Sequence, residues 1–272
     1  EDTDQSRKVE NAIVNLLSTF ESLNIRFDEG PDIGGDNGPY YQSERLHIYK
    51  EYIEILLKKG NVYPCFCSSE RLDNIRKTQI NAKNTIKYDR HCLKISQNEA
   101  INKMKKESYV IRMKIPDGEK VVFYDMVREN VVVHCDEIDD QILIKSDGFP
   151  TYHFANVVDD YLMGITHVMR GEEWLPSTPK HLLLYQYFGW RLPKFIHLPL
   201  LLNPNKSKLS KRQGDIAVEG YLNNGYLPET LINFVALLGW HPKNEREIFT
   251  LDELEKEFSL KRIHKSGAVF DV

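Results

Sequence analysis

The alternation of apolar and polar positions divides the chain into a regular series of elements. Val9, Ala12, Ile13, Leu16, Leu17, Phe20 and Leu23 recur at helical spacing and predict a helix over 8–24. A turn-rich stretch, EGPDIGGDNGPYY, follows. A second helix fits Ser43 to Lys59 and stops at Gly60. Ser96-x-x-Glu99 is a capping box opening a short basic helix. Tyr109–Ile115, Val121–Tyr124 and Val131–Cys135 read as strands, so 61–143 reads as a compact α/β unit of its own. ILIK at 142–145 predicts a buried strand, then Ser146-Asp147-Gly148 a turn and Tyr152–Tyr161 a helix. A strand at His167–Arg170 leads to a helix launched at Ser177-Thr178-Pro179, and Phe195–Leu202 is a further apolar strand. Such alternation predicts an α/β fold with a parallel, doubly wound sheet. Beyond Arg212 the pattern is helical: Pro228–Leu238, then a capping box at Thr250-x-x-Glu253.

Composition adds exclusions. The 272 residues carry 36 Lys+Arg against 40 Asp+Glu, a net charge of −4. That balance argues against disorder and against a uniformly basic coat. No apolar run approaches the roughly 20 residues that span a bilayer. Four cysteines, Cys65, Cys67, Cys92 and Cys135, are too few for a disulfide scaffold and suit a reducing compartment, the cytoplasm or an organelle. The distribution of charge says more than its sum. Residues 1–60 are acidic, whereas 71–114 hold 12 basic against 4 acidic residues, and Lys206, Lys208, Lys211 and Arg212 crowd into seven positions. Two basic zones on an acidic protein suit a polyanion held at defined places; a solvated lysine-rich face is the plain alternative for 71–114.

Three short constellations bear chemistry. Lys208-Leu209-Ser210-Lys211-Arg212 sets two lysines three apart around a hydroxyl, fit to meet a triphosphate. Taken alone it also reads as a surface basic run. RGEEW, Arg170 to Trp174, follows a predicted strand; an arginine there faces the ligand crevice of an α/β sheet and can grip a carboxylate. An ion pair beside a core tryptophan is the equal alternative. The opening Glu1-Asp2-Thr3-Asp4 would bind a metal, hold an ammonium or, through Asp4 or Ser6, cap the helix that follows.

Taken in order, EDTDQSR, DEGPDIGGDNGPYYQSERL, SDGFPTYHFANVVDDYLMGITHVMRGEEWLPSTPKHLLLYQYFGW, KLSKRQGD and GYLPETLINFVALLGW resemble the bacterial-type (non-archaeal) glutamyl-tRNA synthetases. The resemblance runs along nearly the whole chain. KLSKR looks like that family's form of the class I KMSKS loop. The resemblance implies a Rossmann-like nucleotide-binding fold in four parts. These are 1–60, the first part of the catalytic domain; 61–143, an inserted acceptor-end-binding α/β domain; 144–213, the second half with the KLSKR loop; and 214–272, an incomplete helical stem-contact region. It implies ATP-dependent activation of L-glutamate, with Mg2+, and transfer to the 3′-terminal adenosine of tRNA(Glu), by a monomer with no membrane or DNA partner.

By motif match, Glu1, Tyr152, Asn156 and Arg170 would bind glutamate. Glu173, Trp174, Leu201, Lys208, Ser210, Lys211 and Arg212 would bind ATP, with Lys208 and Lys211 catalytic. Cys65, Cys67 and Cys92, with Tyr88, match the layout of a zinc site found in some relatives. Lys94 stands where some relatives place a histidine, so Tyr88 or His91 would complete the set; a metal-free cluster is equally open. Cys135 reads as core. The family's first strand and HIGH motif would precede EDTD, and its anticodon-binding domain would follow Val272. These residues alone are therefore expected not to charge tRNA. The rival readings are a glutamyl-queuosine tRNA(Asp) synthetase, a glutaminyl enzyme and a noncatalytic tRNA-binding paralogue.

Overall fold

The computed structural model describes residues 2–3, 11–209 and 217–271. In chain order the elements are α1 (Ala12–Ser22), α2 (Leu46–Lys59), β1 (Val62–Cys65), α3 (Ser69–Asn81), α4 (Gln97–Met104), β2 (Val110–Met113), β3 (Lys120–Asp125), β4 (Glu129–His134) and β5 (Ile142–Ile144). There follow α5 (Tyr152–Leu162), β6 (His167–Gly171), α6 (Thr178–Phe188), β7 (Lys194–Leu198), β8 (Leu201–Leu202), α7 (Val218–Asn223), α8 (Pro228–Gly239), α9 (Leu251–Glu257) and β9 (Ala268–Val269).

The sheet that positions the site has the order β4-β3-β7-β6. Strands β6 and β7 run parallel over five residue pairs, β3 joins β7 in parallel at Asp125–Phe195, and β4 is an antiparallel edge. The expected parallel sheet is thus mixed. Strand β3 alternates exposed and buried residues, as a one-faced antiparallel hairpin does, while β7 buries Phe195, Ile196 and His197 in succession. Helices α5 and α6 pack onto the sheet through Phe154, Val157 and Val158 and through Leu182–Leu184. The apolar run 195–202 is not one strand: it breaks at Pro199, which has no N–H to give a ladder, into β7 and β8.

Strand β5 pairs with β2 in a second sheet, β1-β2-β5, whereas the hairpin β3–β4 joins β7. Strand pairing therefore runs across the boundary drawn at 143/144, and 61–143 is not closed on itself. Periodicity identifies a strand but not its partner. Helix α2 ends where expected, with Gly60 in the left-handed region at φ 72° accepting the C-cap position. The Thr250–Glu253 box is complete, whereas at Ser96 the hydroxyl accepts the Glu99 N–H. Helix α1 buries none of its residues, so its apolar stripe is a helix signal without a core among the described residues. No helix there is long and apolar enough to cross a membrane.

Candidate active site

Three side chains at the carboxyl ends of neighbouring parallel strands form the floor of the site. Asp125 ends β3, His197 lies near the end of β7 and Arg170 near the end of β6. His197 is the direct register partner of Arg170, and Asp125 that of Phe195, two residues before His197. Side chains two apart on a strand share a face, so all three fall on one side of the sheet. They touch in strand order: Asp125 Oδ2 to His197 Nδ1 at 2.6 Å, and Arg170 Nε to His197 Nε2 at 3.1 Å. Asp125 and His197 are both 0% exposed. Burial works to raise the Asp125 carboxyl, but hydrogen bonds from His197 and from the N–H groups of Arg128 and Val127 outweigh it, and its pKa lies below the ordinary carboxylate value.

Arg170 also donates through Nη2 to Thr178 Oγ1 at 2.8 Å and through Nη1 to the Tyr152 hydroxyl at 3.4 Å; Nη1 lies 3.4 Å from His181 Nδ1. His181 in turn lies 3.1 Å from His153. Burial, with Arg170 nearby, drives the His181 pKa well below its ordinary value; burial together with Lys180 and Arg170 takes that of His153 down to about 4. The guanidinium is therefore lined by neutral acceptors. Among the described residues no carboxylate forms an ion pair with it. Tyr152 packs against Trp174 with ring centroids 4.7 Å apart, and Arg170 lies 6.0 Å from the Trp174 ring centroid. The result is a cationic socket with an aromatic wall, open at Trp174, which is 37% exposed.

One helical turn beyond Tyr152, the Asn156 Oδ1 is buried without a partner among the described residues, and so is the Oε1 of Gln42. The Gln42 amide nitrogen donates to Asp159, which also pairs with Arg45. Two buried acceptors without protein donors among the described residues suit a ligand that brings hydrogen-bond donors.

The nucleotide-side residues meet as well. Lys208 Nζ lies 3.2 Å from a Glu173 oxygen, an exposed ion pair joining two residues both expected at ATP. The Leu201 carbonyl accepts the Leu209 N–H at 3.0 Å, and β8 pairs in parallel with β9. Glu1, Ser210, Lys211 and Arg212 lie outside the described residues. So do Asp4 and Ser6, suggested as caps of the following helix. Asp2 caps elsewhere: its carboxylate accepts the Ser43 N–H at 2.9 Å and the Ser43 hydroxyl.

The cysteine cluster forms away from this site. The Sγ atoms of Cys65, Cys67 and Cys92 lie within 4.8 Å of one another. The Tyr88 hydroxyl stands 3.3 Å from Cys65 Sγ and from Cys67 Sγ. Burial, aided by the neighbouring thiols, pushes the Cys67 thiol up to about 11. At Cys65 burial is outweighed by the Tyr88 hydroxyl, the Cys67 N–H and Arg112, and the pKa falls below the ordinary value. His91 is exposed, so Tyr88 is the fourth group that converges. Cys135 is buried in the main core, as expected. In the basic stretch, Arg71 pairs with Asp89, Arg90 with Asp117 and Asp140, and Arg112 donates to the Asp140 carbonyl. Arg71 also donates to Cys67 Sγ and Arg112 lies over the Tyr88 ring, so these two arginines brace the cluster, whereas Arg76, Lys77, Lys83, Lys94, Lys105, Lys106 and Lys114 are exposed.

Sequence reasoning missed Asp125, His197, Thr178 and His181. A signal for His197 was present: a histidine inside the apolar run FIHLPLLL needs a buried partner.

A sheet whose parallel strands end in such a socket, followed by a lysine-bearing loop, belongs to a nucleotide-binding class of α/β proteins. The family model for class I tRNA synthetases (E and Q), catalytic domain, matches residues 1–272, and the chain belongs to that family. It is 53% identical to a glutamate–tRNA ligase of Alkaliphilus metalliredigens and 54% identical to one of Clostridioides difficile, each over 100% of this chain and 57% of the relative. The crystal structure of the glutamate-tRNA synthetase of Elizabethkingia anophelis superposes with a TM-score of 0.93 at 40% identity, over 100% of this chain and 60% of that one. A glutamate tRNA ligase of Elizabethkingia meningosepticum, solved in complex with its amino acid, also gives 0.93. The chain spans somewhat more than half the length of these relatives.

Proposed function

We propose that the chain provides catalytic residues of a glutamate–tRNA ligase. The observation that carries this reading is the Arg170 socket, a half-buried cation that no carboxylate among the described residues pairs with, beside an open aromatic wall. A substrate carboxylate would supply the missing anion, and a charge-assisted pair is about twice as strong as a neutral one. Asn156 and Gln42 would accept hydrogen bonds from the amino acid. With the glutamate held, its α-carboxylate oxygen attacks the α-phosphorus of ATP and pyrophosphate leaves. The terminal adenosine hydroxyl of tRNA then attacks the adenylate carbonyl and AMP leaves. No protein nucleophile is needed, so catalysis is alignment and charge stabilisation. Lys208 would leave Glu173 for the phosphates, and Glu173 and Trp174 would meet the nucleoside. Lys211 is assigned to the phosphates by its motif.

Magnesium would arrive with the ATP phosphates, since among the described residues no carboxylate cluster is placed to hold it; the metal-competent group there is made of thiols. Cys65, Cys67, Cys92 and Tyr88 would hold one zinc ion, whose role is to cross-link the insert. The exposed lysines and arginines of 76–114 would contact acceptor-stem phosphates. The complete gene product, with tRNA present, should catalyse ATP–pyrophosphate exchange that depends on glutamate. Exchange driven equally by glutamine, or no exchange at all, would refute the reading.

A further inference from the structure

The relay beneath Arg170 continues past the residues that face the socket. Arg170 Nε can only donate, so His197 Nε2 must accept, and the imidazole hydrogen must sit on Nδ1, where it is given to Asp125 Oδ2. The other Asp125 oxygen is already committed: Oδ1 accepts the N–H groups of Val127 at 2.9 Å and Arg128 at 2.8 Å. The carboxylate therefore cannot rotate away, and it fixes both the plane and the tautomer of the ring. Two firm anchors, His197 and Thr178, then set the guanidinium, and the Nη1 contacts at 3.4 Å are the slack ones.

We propose that Asp125 and His197 are positioning residues that fix the Arg170 guanidinium and leave its charge to the substrate carboxylate. The proposal rests on the reading of Arg170 given above. The interposed ring explains the arrangement. A carboxylate placed directly on Arg170 would orient it equally well but would neutralise it, and a neutral socket would hold a carboxamide as readily as a carboxylate. Setting Asp125 one imidazole away keeps the orientation and spares the charge. The same order, carboxylate to Nδ1 and acceptor Nε2 to the working group, is how a buried acid holds a histidine tautomer elsewhere.

The test uses the complete gene product with tRNA present, in ATP–pyrophosphate exchange with glutamate and ATP varied in turn. Asp125→Asn is isosteric and can keep an oxygen for the two N–H groups. Its amide nitrogen then faces His197 Nδ1, which must accept, and the displaced hydrogen on Nε2 meets the Arg170 Nε–H. KM for glutamate should rise roughly tenfold, the factor carried by about 1.4 kcal/mol, with KM for ATP unchanged. His197→Gln keeps an acceptor near Arg170 and should retain most glutamate affinity. His197→Asn keeps the donor to Asp125 but cannot reach Arg170, and should behave like Asp125→Asn. A merely structural role predicts the reverse ranking of these two. If Arg170→Ala abolishes glutamate-dependent exchange while Asp125→Asn leaves KM for glutamate unchanged, the relay is wrong and the Arg170 reading stands. Equal rises in both KM values for Asp125→Asn also overturn the relay. Normal exchange by Arg170→Ala overturns both.

Discussion

Asp159→Asn separates charge from hydrogen bonding in the buried cluster of Asp159, Arg45, Tyr49 and Gln42. Asp159 on α5 uses both oxygens. Oδ1 accepts Arg45 Nε at 2.7 Å and the Tyr49 hydroxyl at 3.0 Å; Oδ2 accepts the same hydroxyl at 2.8 Å and Gln42 Nε2 at 2.9 Å. The substituted amide keeps the shape and one acceptor, which Arg45 and Tyr49 can share. Gln42 can turn its amide over, because its Oε1 has no partner among the described residues to lose, and accept from the new NH2. Hydrogen bonding is nearly conserved, and what disappears is the anion opposite a guanidinium whose residue is only 2% exposed. Removing one member of a buried pair costs about 3–5 kcal/mol. The lower end applies, because the change also relieves repulsion with the adjacent Asp160. About 3 kcal/mol at roughly 2–4 °C per kcal/mol gives a fall in Tm of about 6–12 °C. Tyr49→Phe removes only neutral hydrogen bonding, about 1 kcal/mol, and should lower Tm by about 2–4 °C. Thermal unfolding at pH 7, followed by circular dichroism, compares the two. A fall for Asp159→Asn no larger than that for Tyr49→Phe would show that the charge pair contributes nothing, and the reasoning would fail.

Burial and the adjacent Asp159 push the Asp160 carboxyl from its ordinary 3.8 up to about 6. The folded state thus binds this proton more tightly than the unfolded chain, so stability falls as pH rises from about 4 to 6, by up to about 3 kcal/mol. Asp160→Asn should raise Tm at pH 7 and leave it unchanged near pH 4; a pH-independent difference counts against this. Cys67→Ser should abolish the roughly one equivalent of zinc expected by metal analysis, and a strong chelator should lower the Tm of the parent protein but not of the variant. Gly60→Ala meets open space but forces a side chain into the left-handed region at φ 72°, and should cost about 1 kcal/mol in urea unfolding. Glu173→Gln frees Lys208 from an exposed pair, so Tm should move by less than about 1 kcal/mol equivalent while KM for ATP changes.

What the sequence disclosed follows from what local patterns encode. The helix over 43–59, the Thr250 cap and the strand carrying Arg170 were legible because spacing, capping residues and β-branched runs act within a few positions. Helix α1 was legible as a helix but not in its environment: periodicity states which residues share a face, and Leu16, at 55% exposed, shows that it does not state what covers that face. Partner choice was opaque for the same reason. The run Val121–Tyr124 looked like part of a self-contained insert, yet the residue that follows it, Asp125, belongs to the catalytic sheet through β7. That one pairing places a carboxylate 72 positions away beside His197, and no window on the chain contains both. The motif-bearing residues Tyr152, Asn156 and Arg170 could be found because they sit in recognisable strings, to which the proposed function assigns the ligand. Asp125 and His197 act on Arg170 instead, so their spacing is set by strand order rather than by sequence. The parts of this site hidden from the sequence are therefore those that orient rather than touch, and a single isosteric change at Asp125 should expose them where deletion of a touching residue would not.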